Sequence, residues 1–383
     1  MRWLATVLLL GGCGSGGLGP PQGAMGVLLG PTSFPLALDT DLTVAVMRTQ
    51  VSDYSGAYCE ARLQNLAGTA FGGTGNLNGY CPSGAAFDAA HRVFLTINGT
   101  LAVGTLSGPW ANFALGGGGE RTATLLSDGT YVACAGDDLL AVSPDGPLVY
   151  RTPIGGTATL GLIADEQDRV FAQVRRADGT WRLVALDASG EPLFDVAMGE
   201  PQDTPSLAND DSVIVSAMTD AGAALQVFDP ADGALLREVP LAWPAYSVVV
   251  ADDGDWIVGE VGYNAATNQL TGIDTLVRMS PDGDERWSRE ERDLGPAILD
   301  NLQRLWVSFG GEVHILTGGG HVIESFPGGG APAGPPVLQS GWFGGTYDAY
   351  AALTPVRADV TLATTGWPRA GGSNRNNGRR PTP

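Results

Sequence analysis

Cys13 is the residue of this sequence with the most specific predicted chemistry. It follows a start of the kind that directs export, in which Arg2 supplies a positive charge and residues 3–10 form an apolar run. The small pair Gly11-Gly12 stands directly before the cysteine, where cleavage of a signal peptide requires small side chains. We therefore predict that residues 1–12 are a signal peptide.

The segment Leu10-Gly11-Gly12-Cys13 resembles the lipobox of bacterial lipoproteins. The resemblance implies that a diacylglycerol is added to the sulfur of Cys13 and that cleavage makes this cysteine the new N-terminus. Two or three acyl chains, at about 0.8 kcal/mol per buried methylene, would attach the protein to a membrane permanently. Gly14, at a position where Asp favours the inner membrane, implies the outer membrane by the same resemblance. The alternatives are an ordinary signal peptide and a chance apolar start.

The sequence has four cysteines, so three remain beside Cys13. In an oxidising compartment this odd number implies one disulfide and one thiol. Cys59 and Cys81 lie in a region with few repeat signals, whereas Cys134 lies in residues 131–135, whose apolar pattern predicts a buried strand. We predict the disulfide Cys59–Cys81 and a buried Cys134.

Other motifs of catalysis and metal binding are missing from the sequence. It contains no GxSxG, HExxH, GxxxxGK[ST] or DxDxDG pattern and no CxxC pair. Acidic runs at 137–138, 210–211 and 252–255 are interpreted as solvated turns, and His314 and His321 lack a third metal ligand. We therefore assign no catalytic residue, no cofactor and no metal.

Composition and charge restrict the class of protein to which this chain can belong. The formal net charge of −20 at pH 7 means that most of the surface repels a phosphate backbone, so we predict no nucleic-acid binding. The 56 glycines and 25 prolines, beside only 16% charged residues, predict many tight turns and little exposed helix. This composition favours turn-rich β-structure.

Four segments share one pattern, in which an apolar strand ends in a turn with glycine and another strand follows. The turns are Ser143-Pro144-Asp145-Gly146, Asp187-Ala188-Ser189-Gly190, Asp229-Pro230-Ala231-Asp232-Gly233 and Ser280-Pro281-Asp282-Gly283. Their glycines recur at steps of 44, 43 and 50 residues, which is the spacing of four-stranded propeller blades. Proline fixes φ near about −65° in such turns, and glycine supplies the positive φ that a hairpin needs.

The same template predicts further first strands along the chain. They start near Phe34, Ser83, Thr122, Thr159, Thr204, Tyr246, Pro296 and Pro335. The predicted fold is all-β, a β-propeller of about eight four-stranded blades, with seven blades as the alternative if residues 34–74 only complete another blade. We predict a flexible tether over residues 13–31, the propeller over 32–366 and a C-terminal segment over 367–383.

The repeats resemble the quinoprotein-type (PQQ-like repeat) β-propeller family, whose pattern is roughly Ala-Leu-Asp-x-x-Thr-Gly-x-x-x-Trp, over residues 120–355. The resemblance implies that the last aromatic packs between neighbouring blades. In the four copies this position holds Tyr150, Phe194, Leu236 and Trp287. Residues 366–379 resemble the Trp-Pro segment of many bacterial propellers, which implies that Trp367 packs against the propeller.

Many members of this family are binding scaffolds, and features of its enzymes, such as adjacent cysteines or a CxxCH haem motif, are missing here. We predict a non-enzymatic, lipid-anchored binding or scaffold protein of the cell envelope. Its partners would be the membrane, through Cys13, and another envelope protein. The alternative is a propeller enzyme, a hydrolase, lyase or dehydrogenase, with its site at the central funnel.

Overall fold

The computed structural model describes residues 27–30, 37–39, 44–52, 56–64, 70–73, 85–97, 100–105, 110–114, 123–264, 269–328, 336–347 and 350–364. These residues form strands, turns and connecting segments, and there is no helix among them. The described residues contain 36 strands.

In chain order, the strands of the first half are β1 (Val27–Gly30), β2 (Ala37–Leu38), β3 (Val44–Ser52), β4 (Gly56–Gln64), β5 (Ala70–Gly73), β6 (Ala85–Phe87), β7 (Val93–Ile97), β8 (Thr100–Gly104), β9 (Ala111–Ala114), β10 (Ala123–Leu125), β11 (Tyr131–Ala135), β12 (Asp138–Val142), β13 (Leu148–Pro153), β14 (Thr157–Ala158), β15 (Ile163–Ala164), β16 (Val170–Arg175), β17 (Trp181–Leu186) and β18 (Pro192–Met198). The remaining strands are β19 (Glu200–Pro201), β20 (Ser206–Leu207), β21 (Val213–Thr219), β22 (Gly222–Phe228), β23 (Leu235–Pro240), β24 (Ala245–Val250), β25 (Trp256–Glu260), β26 (Tyr263–Asn264), β27 (Gln269–Leu270), β28 (Asp274–Met279), β29 (Glu285–Glu291), β30 (Ile298–Leu299), β31 (Leu305–Phe309), β32 (Glu312–Leu316), β33 (Val322–Pro327), β34 (Val337–Gln339), β35 (Trp342–Tyr347) and β36 (Tyr350–Pro355).

Within the described residues these strands form eight antiparallel sheets of blade type and one small hairpin. Blades 1, 2 and 3 are β2–β5, β6–β9 and β10–β13. Blades 4 and 5 are β14–β18 and β19–β23, and in both the first strand is split in two. Blade 6 is β24, β25, β28 and β29, with the hairpin β26–β27 inserted, and blade 7 is β30–β33. Blade 8 is β34–β36, completed by β1.

The blades stand around an axis. First strands of neighbouring blades contact each other, as β2 contacts β6 and β34, β6 contacts β10, and β20 contacts β24. The apolar clusters each lie between adjacent blades, joining blades 2 and 3, 3 and 4, 4 to 6, 6 and 7, and 7 and 8. Fourth strands such as β29 alternate exposed and half-buried side chains, because they form the outer edge. This arrangement is a β-propeller, and the predicted fold is confirmed.

Strand β1 completes the outer edge of blade 8. Val27 and Leu28 pair with Leu353 and Ala352 of β36, so one sheet joins the two ends of the described chain. Such a joint removes a weak seam between the first and last blades. Strand β1 lies within residues 13–31, for which a tether is predicted, so its four residues belong to the propeller and not to the tether.

Middle strands are buried on both faces because a neighbouring blade covers each face. All five residues of β11 are buried, including Cys134, as predicted from their apolar pattern. A strand covered on both faces has a continuous apolar sequence, whereas a half-exposed strand alternates. This difference distinguishes the inner strands of each blade from its outer edge.

Aromatic side chains join several blades to the glycine turn of the next. The turn glycines have the positive φ predicted for them, 108° at Gly146 and 85° at Gly190. A Cβ built on Gly190 would lie 2.5 Å from the ring of Tyr150 in the preceding blade, and Phe194 meets Gly233 in the same way at 2.6 Å. Glycine is therefore required twice, for the backbone conformation and for the space that the ring fills.

Leu236 does not have the docking role that the family pattern implies. Its side chain is exposed, and Val239 lies against Gly283 of the next blade. The preceding turn is one residue longer than the others, since Gly233 N–H donates to the carbonyl of Asp229. The extra residue moves β23 by one position, so Arg237 and not Leu236 pairs with β22 where Tyr150 and Phe194 pair with the third strands of their own blades. The contact with the next glycine turn is made two residues further on, by Val239.

Turns between first and second strands carry another repeat, which the glycine spacing does not reveal. In three of them a buried Asp is followed four residues later by Arg, at Asp88–Arg92, Asp165–Arg169 and Asp300–Arg304. In blade 4, the carboxylate of Asp165 accepts hydrogen bonds from the backbone N–H groups of Gln167 and Arg169, and the guanidinium of Arg169 lies 2.5 Å away. The buried carboxylate thus satisfies the donors of its own turn.

Candidate functional site

Blades 4 and 5 depart from the repeat in their first strands. In blade 4, β14 and β15 pair with separate parts of β16. The N–H of Thr159 still donates to the carbonyl of Gln173, and residues 160–162 leave the ladder. In blade 5, the N–H of Gln202 likewise donates to the carbonyl of Ser216, and residues 203–205 leave the ladder between β19 and β20. We call residues 159–162 and 202–205 the inner loops, because first strands lie at the axis of the propeller.

The inner loops are joined to each other. The backbone N–H of Gly161 donates to Oγ1 of Thr204 at 3.2 Å, and a Cβ on Gly161 would lie 2.5 Å from the Thr204 side chain. Gln173 of β16 donates from Nε2 to the carbonyl oxygen of Asp203 at 3.1 Å. These contacts fix the position of the blade 5 loop relative to blade 4.

Asp203 is the ionisable group of the inner loops. Its side chain is half-buried, and the surrounding protein disfavours the charged form, which raises the pKa of its carboxyl to about 7. A hydrogen bond from the backbone N–H of Thr204 offsets only part of this effect. No ion pair to Asp203 is found within the described residues. Near neutral pH the group therefore exists in both protonation states.

Tyr246 of blade 6 lies near enough to Asp203 for the charge of that carboxyl to act on it. It occupies a bulge in β24, between the paired residues Ala245 and Ser247, and its hydroxyl donates to the carbonyl oxygen of Leu294 at 2.9 Å. Burial raises the pKa of the Tyr246 phenol, and the charges of Asp274 and Asp203 raise it further. The phenol therefore stays neutral and protonated, and its hydroxyl is held by the segment that connects blade 6 to blade 7.

Two buried polar atoms at the inner loops have no hydrogen-bond partner in the protein. They are Oε1 of Gln173, whose residue is fully buried, and Oγ1 of Thr159. Buried polar atoms are almost always paired in folded proteins, so such atoms indicate hydrogen-bonding capacity that is left for another molecule. Gln173 reaches the blade 5 loop through its Nε2 and thus belongs to the same site.

A second carboxyl with a raised pKa lies in blade 6. Glu260 is buried at the end of β25, where it accepts a hydrogen bond from the backbone N–H of Trp243 at 3.1 Å. Burial raises the pKa of Glu260 to about 7, and the nearby charge of Glu285 adds to the effect. This hydrogen bond fixes the segment that precedes β24.

An open cleft of about 490 Å³ lies at the outer part of blade 4. It is lined by Arg176, Asp178, Thr180, Arg182 and Asp195, together with Ala177. The guanidinium groups of both arginines bind the carboxylate of Asp195, with Nε of Arg182 at 2.7 Å. The charges of both arginines are therefore paired with Asp195.

The residues singled out in the sequence are distributed as follows. Cys13, Cys81 and residues 367–383 lie outside the described residues, and the lipidation, the disulfide and the packing of the C-terminal segment stay predictions. Cys59 lies in β4, and Cys134 is buried in β11. None of these residues belongs to the inner loops.

The acidic run at 252–255 serves the fold. Nη2 of Arg278 lies 2.5 Å from Asp253, and its Nε lies 2.9 Å from Asp255, so these carboxylates hold β28 to the turn between β24 and β25. Among the described residues, no group of three or more His, Cys, Asp or Glu side chains is placed to hold a metal ion. In the same part of the chain no helix is long and apolar enough to cross a membrane.

Comparison with known proteins identifies the fold. No protein-family model and no curated protein matches the chain. It is similar to the Dos1 propeller, with a TM-score of 0.65 and 9% identity over 85% of this chain and 94% of that chain. The fold is a β-propeller. The chain is also similar to dihydro-heme d1 dehydrogenase NirN, with a TM-score of 0.58 and 12% identity over 87% of this chain and 78% of that one.

A third similar structure is a catalytically inactive virginiamycin B lyase from Staphylococcus aureus with quinupristin. Its TM-score is 0.52 and its identity 13%, over 81% of this chain and 99% of that chain. At identities this low, the similarity shows the fold and does not show the function. The similar propellers include a lyase and a dehydrogenase, so the function of this chain must be argued from its own residues.

Proposed function

We propose that this chain is a non-enzymatic, lipid-anchored binding protein of the cell envelope, whose propeller holds a ligand or partner at the inner loops of blades 4 and 5. The observation that carries the proposal is the pair of loops itself. Two adjacent blades leave their ladders at the same place, are joined there by Gly161 and Thr204, and leave buried acceptors unpaired. A fixed polar site at the axis is where propellers bind other molecules.

The anchor and the compartment rest on the first residues. The positive start, the apolar run and the lipobox-like ending at Cys13 support export followed by lipidation. Acyl chains on Cys13 would keep the propeller at the membrane without a spanning helix. The outer membrane, with the propeller in the periplasm or at the cell surface, is the location we propose.

Metabolic labelling with a palmitate analogue tests the anchor. We expect label on the wild type and on Cys134→Ser, a control that removes a cysteine from a buried strand, and no label on Cys13→Ser. The membrane fraction should lose the Cys13→Ser protein. Equal labelling of all three proteins would refute lipidation at Cys13.

Site-specific photo-cross-linking in envelope preparations tests the binding site. A photo-reactive amino acid is placed at Leu160 in the blade 4 inner loop, and, as a matched control, at Leu236, which is exposed on the outer strand of blade 5. We expect a discrete adduct at Leu160 and none at Leu236. Adducts at Leu236 alone would place binding on the outer edge and contradict the proposal.

An enzyme is the second candidate, and a specific pair of groups favours it. A carboxyl with a pKa of about 7 beside a neutral phenol, Asp203 and Tyr246, is an arrangement that general acid–base catalysis uses. The molecule identified by cross-linking at Leu160 is then incubated with the wild type and with Asp203→Asn. Chemical change by the wild type and not by Asp203→Asn would favour the enzyme. Recovery in unchanged form from both proteins would favour the binding protein.

A further inference from the structure

The unpaired polar atoms of the inner loops are mainly hydrogen-bond acceptors. Nε2 of Gln173, the donor of that amide, is already used on the carbonyl of Asp203, so Oε1 is left as an acceptor. The carboxyl of Asp203 adds two acceptor oxygens when it is ionised, and the hydroxyl of Thr159 can either accept or donate. A molecule that completes this site must therefore bring donors.

The charge at the site is negative and unbalanced. Within the described residues, no Arg or His forms an ion pair with Asp203, and the blade 4 loop contributes only Thr159, two leucines and a glycine. On blade 6 the neighbouring groups are Tyr246, which stays neutral, and Asp274, whose charge also acts on Tyr246. The whole chain carries a net charge of −20. An anionic ligand would be repelled, whereas a cation would stabilise the ionised carboxylate.

We propose that the inner loops of blades 4 and 5 bind an organic cation that carries N–H donors, a primary ammonium or a guanidinium group, with Asp203 as its counter-ion. The donors are bound by the Asp203 carboxylate and by Oε1 of Gln173, and the cation lies near the ring of Tyr246. This inference rests on the proposed binding function and specifies the chemistry of its ligand.

The proposal predicts the direction of the pH dependence. The cation binds the ionised form of Asp203, whose pKa is raised to about 7, so apparent affinity follows the ionised fraction. That fraction is about 0.9 at pH 8 and about 0.03 at pH 5.5, so binding weakens about 30-fold between these values. Binding also displaces the proton that remains on Asp203, so at pH 7 about half a proton is released for each cation bound.

Calorimetric titration of the whole chain tests the proposal, with n-butylammonium and n-butylguanidinium as probes and n-butanol as the uncharged control. We expect both cations to bind at pH 8, about 30-fold more weakly at pH 5.5, and butanol at least 10-fold more weakly than either. Titrations at pH 7 in buffers of different ionisation enthalpy give the number of protons released.

Two variants complete the test. Asp203→Asn is expected to weaken cation binding at pH 8 at least 10-fold and to abolish both the pH dependence and the proton release. Asp252→Asn, a control that removes an exposed carboxylate from the turn between the first two strands of blade 6, is expected to change neither. Gln173→Leu should weaken binding while keeping its pH dependence, since the carboxylate is retained.

Equal binding of butanol and butylammonium, the same pH dependence in Asp203→Asn, or binding of Ca²⁺ in place of the organic cations would each overturn the assignment. An adduct at Leu160 without cation binding would overturn the ligand class and leave the proposed binding function intact. If cation binding depends on Asp203 but no adduct forms at Leu160, the result would support the proposed ligand class. It would count against an envelope partner that binds at the inner loops.

Discussion

Substitution of Gly190 by Ala isolates the contact that joins one blade to the next. Gly190 has a φ of 85°, and a Cβ at this position would lie 2.5 Å from Cγ of Tyr150 in the preceding blade. Gly179, in another turn of the same blade, has a φ of 87° and nothing within 4 Å of its Cβ position. Both N–H groups close a turn of the same size, Gly179 on the carbonyl of Arg176 and Gly190 on that of Asp187.

The two glycines share one cost and differ in another. An alanine in the left-handed conformation costs about 1–2 kcal/mol at either position. At Gly190 the methyl group must also displace the Tyr150 ring from a packed interface, and such overpacking costs about 1–3 kcal/mol. We expect Gly179→Ala to lower the free energy of unfolding by about 1–2 kcal/mol and Gly190→Ala to lower it by about 2–5 kcal/mol. The effect of alanine on the unfolded chain is common to both and cancels in the difference.

Urea titration followed by tryptophan fluorescence measures these free energies, and the m-value shows whether one transition describes the unfolding. Tyr150→Ala in the Gly190→Ala background provides a further test, because without the ring the added methyl group meets no obstacle. The double variant should be less destabilised than the sum of the two single changes. Equal destabilisation by Gly179→Ala and Gly190→Ala, with additive effects at Tyr150, would refute the role of the ring contact.

Two other predictions concern buried carboxyl groups. Asp165→Ala leaves the turn donors and the Arg169 guanidinium unpaired, so we expect a loss of about 3–5 kcal/mol in the free energy of unfolding. Asp178→Ala, a control in an exposed turn with a similar bond to the backbone of Thr180, should cost much less. For Glu260, the folded pKa of about 7 lies above the ordinary value of 4.5, so the unfolded chain loses its proton first as the pH rises. The wild type should therefore lose stability between pH about 4.5 and 7 relative to Glu260→Gln, and the difference should be constant above that range. Thermal unfolding across pH 4–8 measures this difference, and parallel curves for the two proteins would contradict a raised pKa.

The sequence predicts the blades because blade turns obey local rules. Gly146 and Gly190 were identifiable from the proline and polar residues beside them, since turn conformation is fixed within four residues. The role of Leu236 was wrong because one extra residue before Gly233 shifts a pairing register, and register depends on the partner strand. Nothing in the sequence around Asp203 indicates a site. It is one of 41 acidic residues, and its surroundings come from strands far away in the chain.

The inner loops are difficult to explain by stability. Each ladder hydrogen bond given up by a first strand is worth about 0.5–1.5 kcal/mol, and the bonds of Gly161 and Gln173 across the two blades offset only part of that loss. Keeping Asp203 in surroundings that raise its pKa to about 7 is a further cost. The bulge that carries Tyr246 lies in the first strand of the next blade, so three consecutive blades depart from the repeat at one place. Folded proteins retain such local costs where function requires them. This joint departure of neighbouring first strands supports the proposed site at the inner loops.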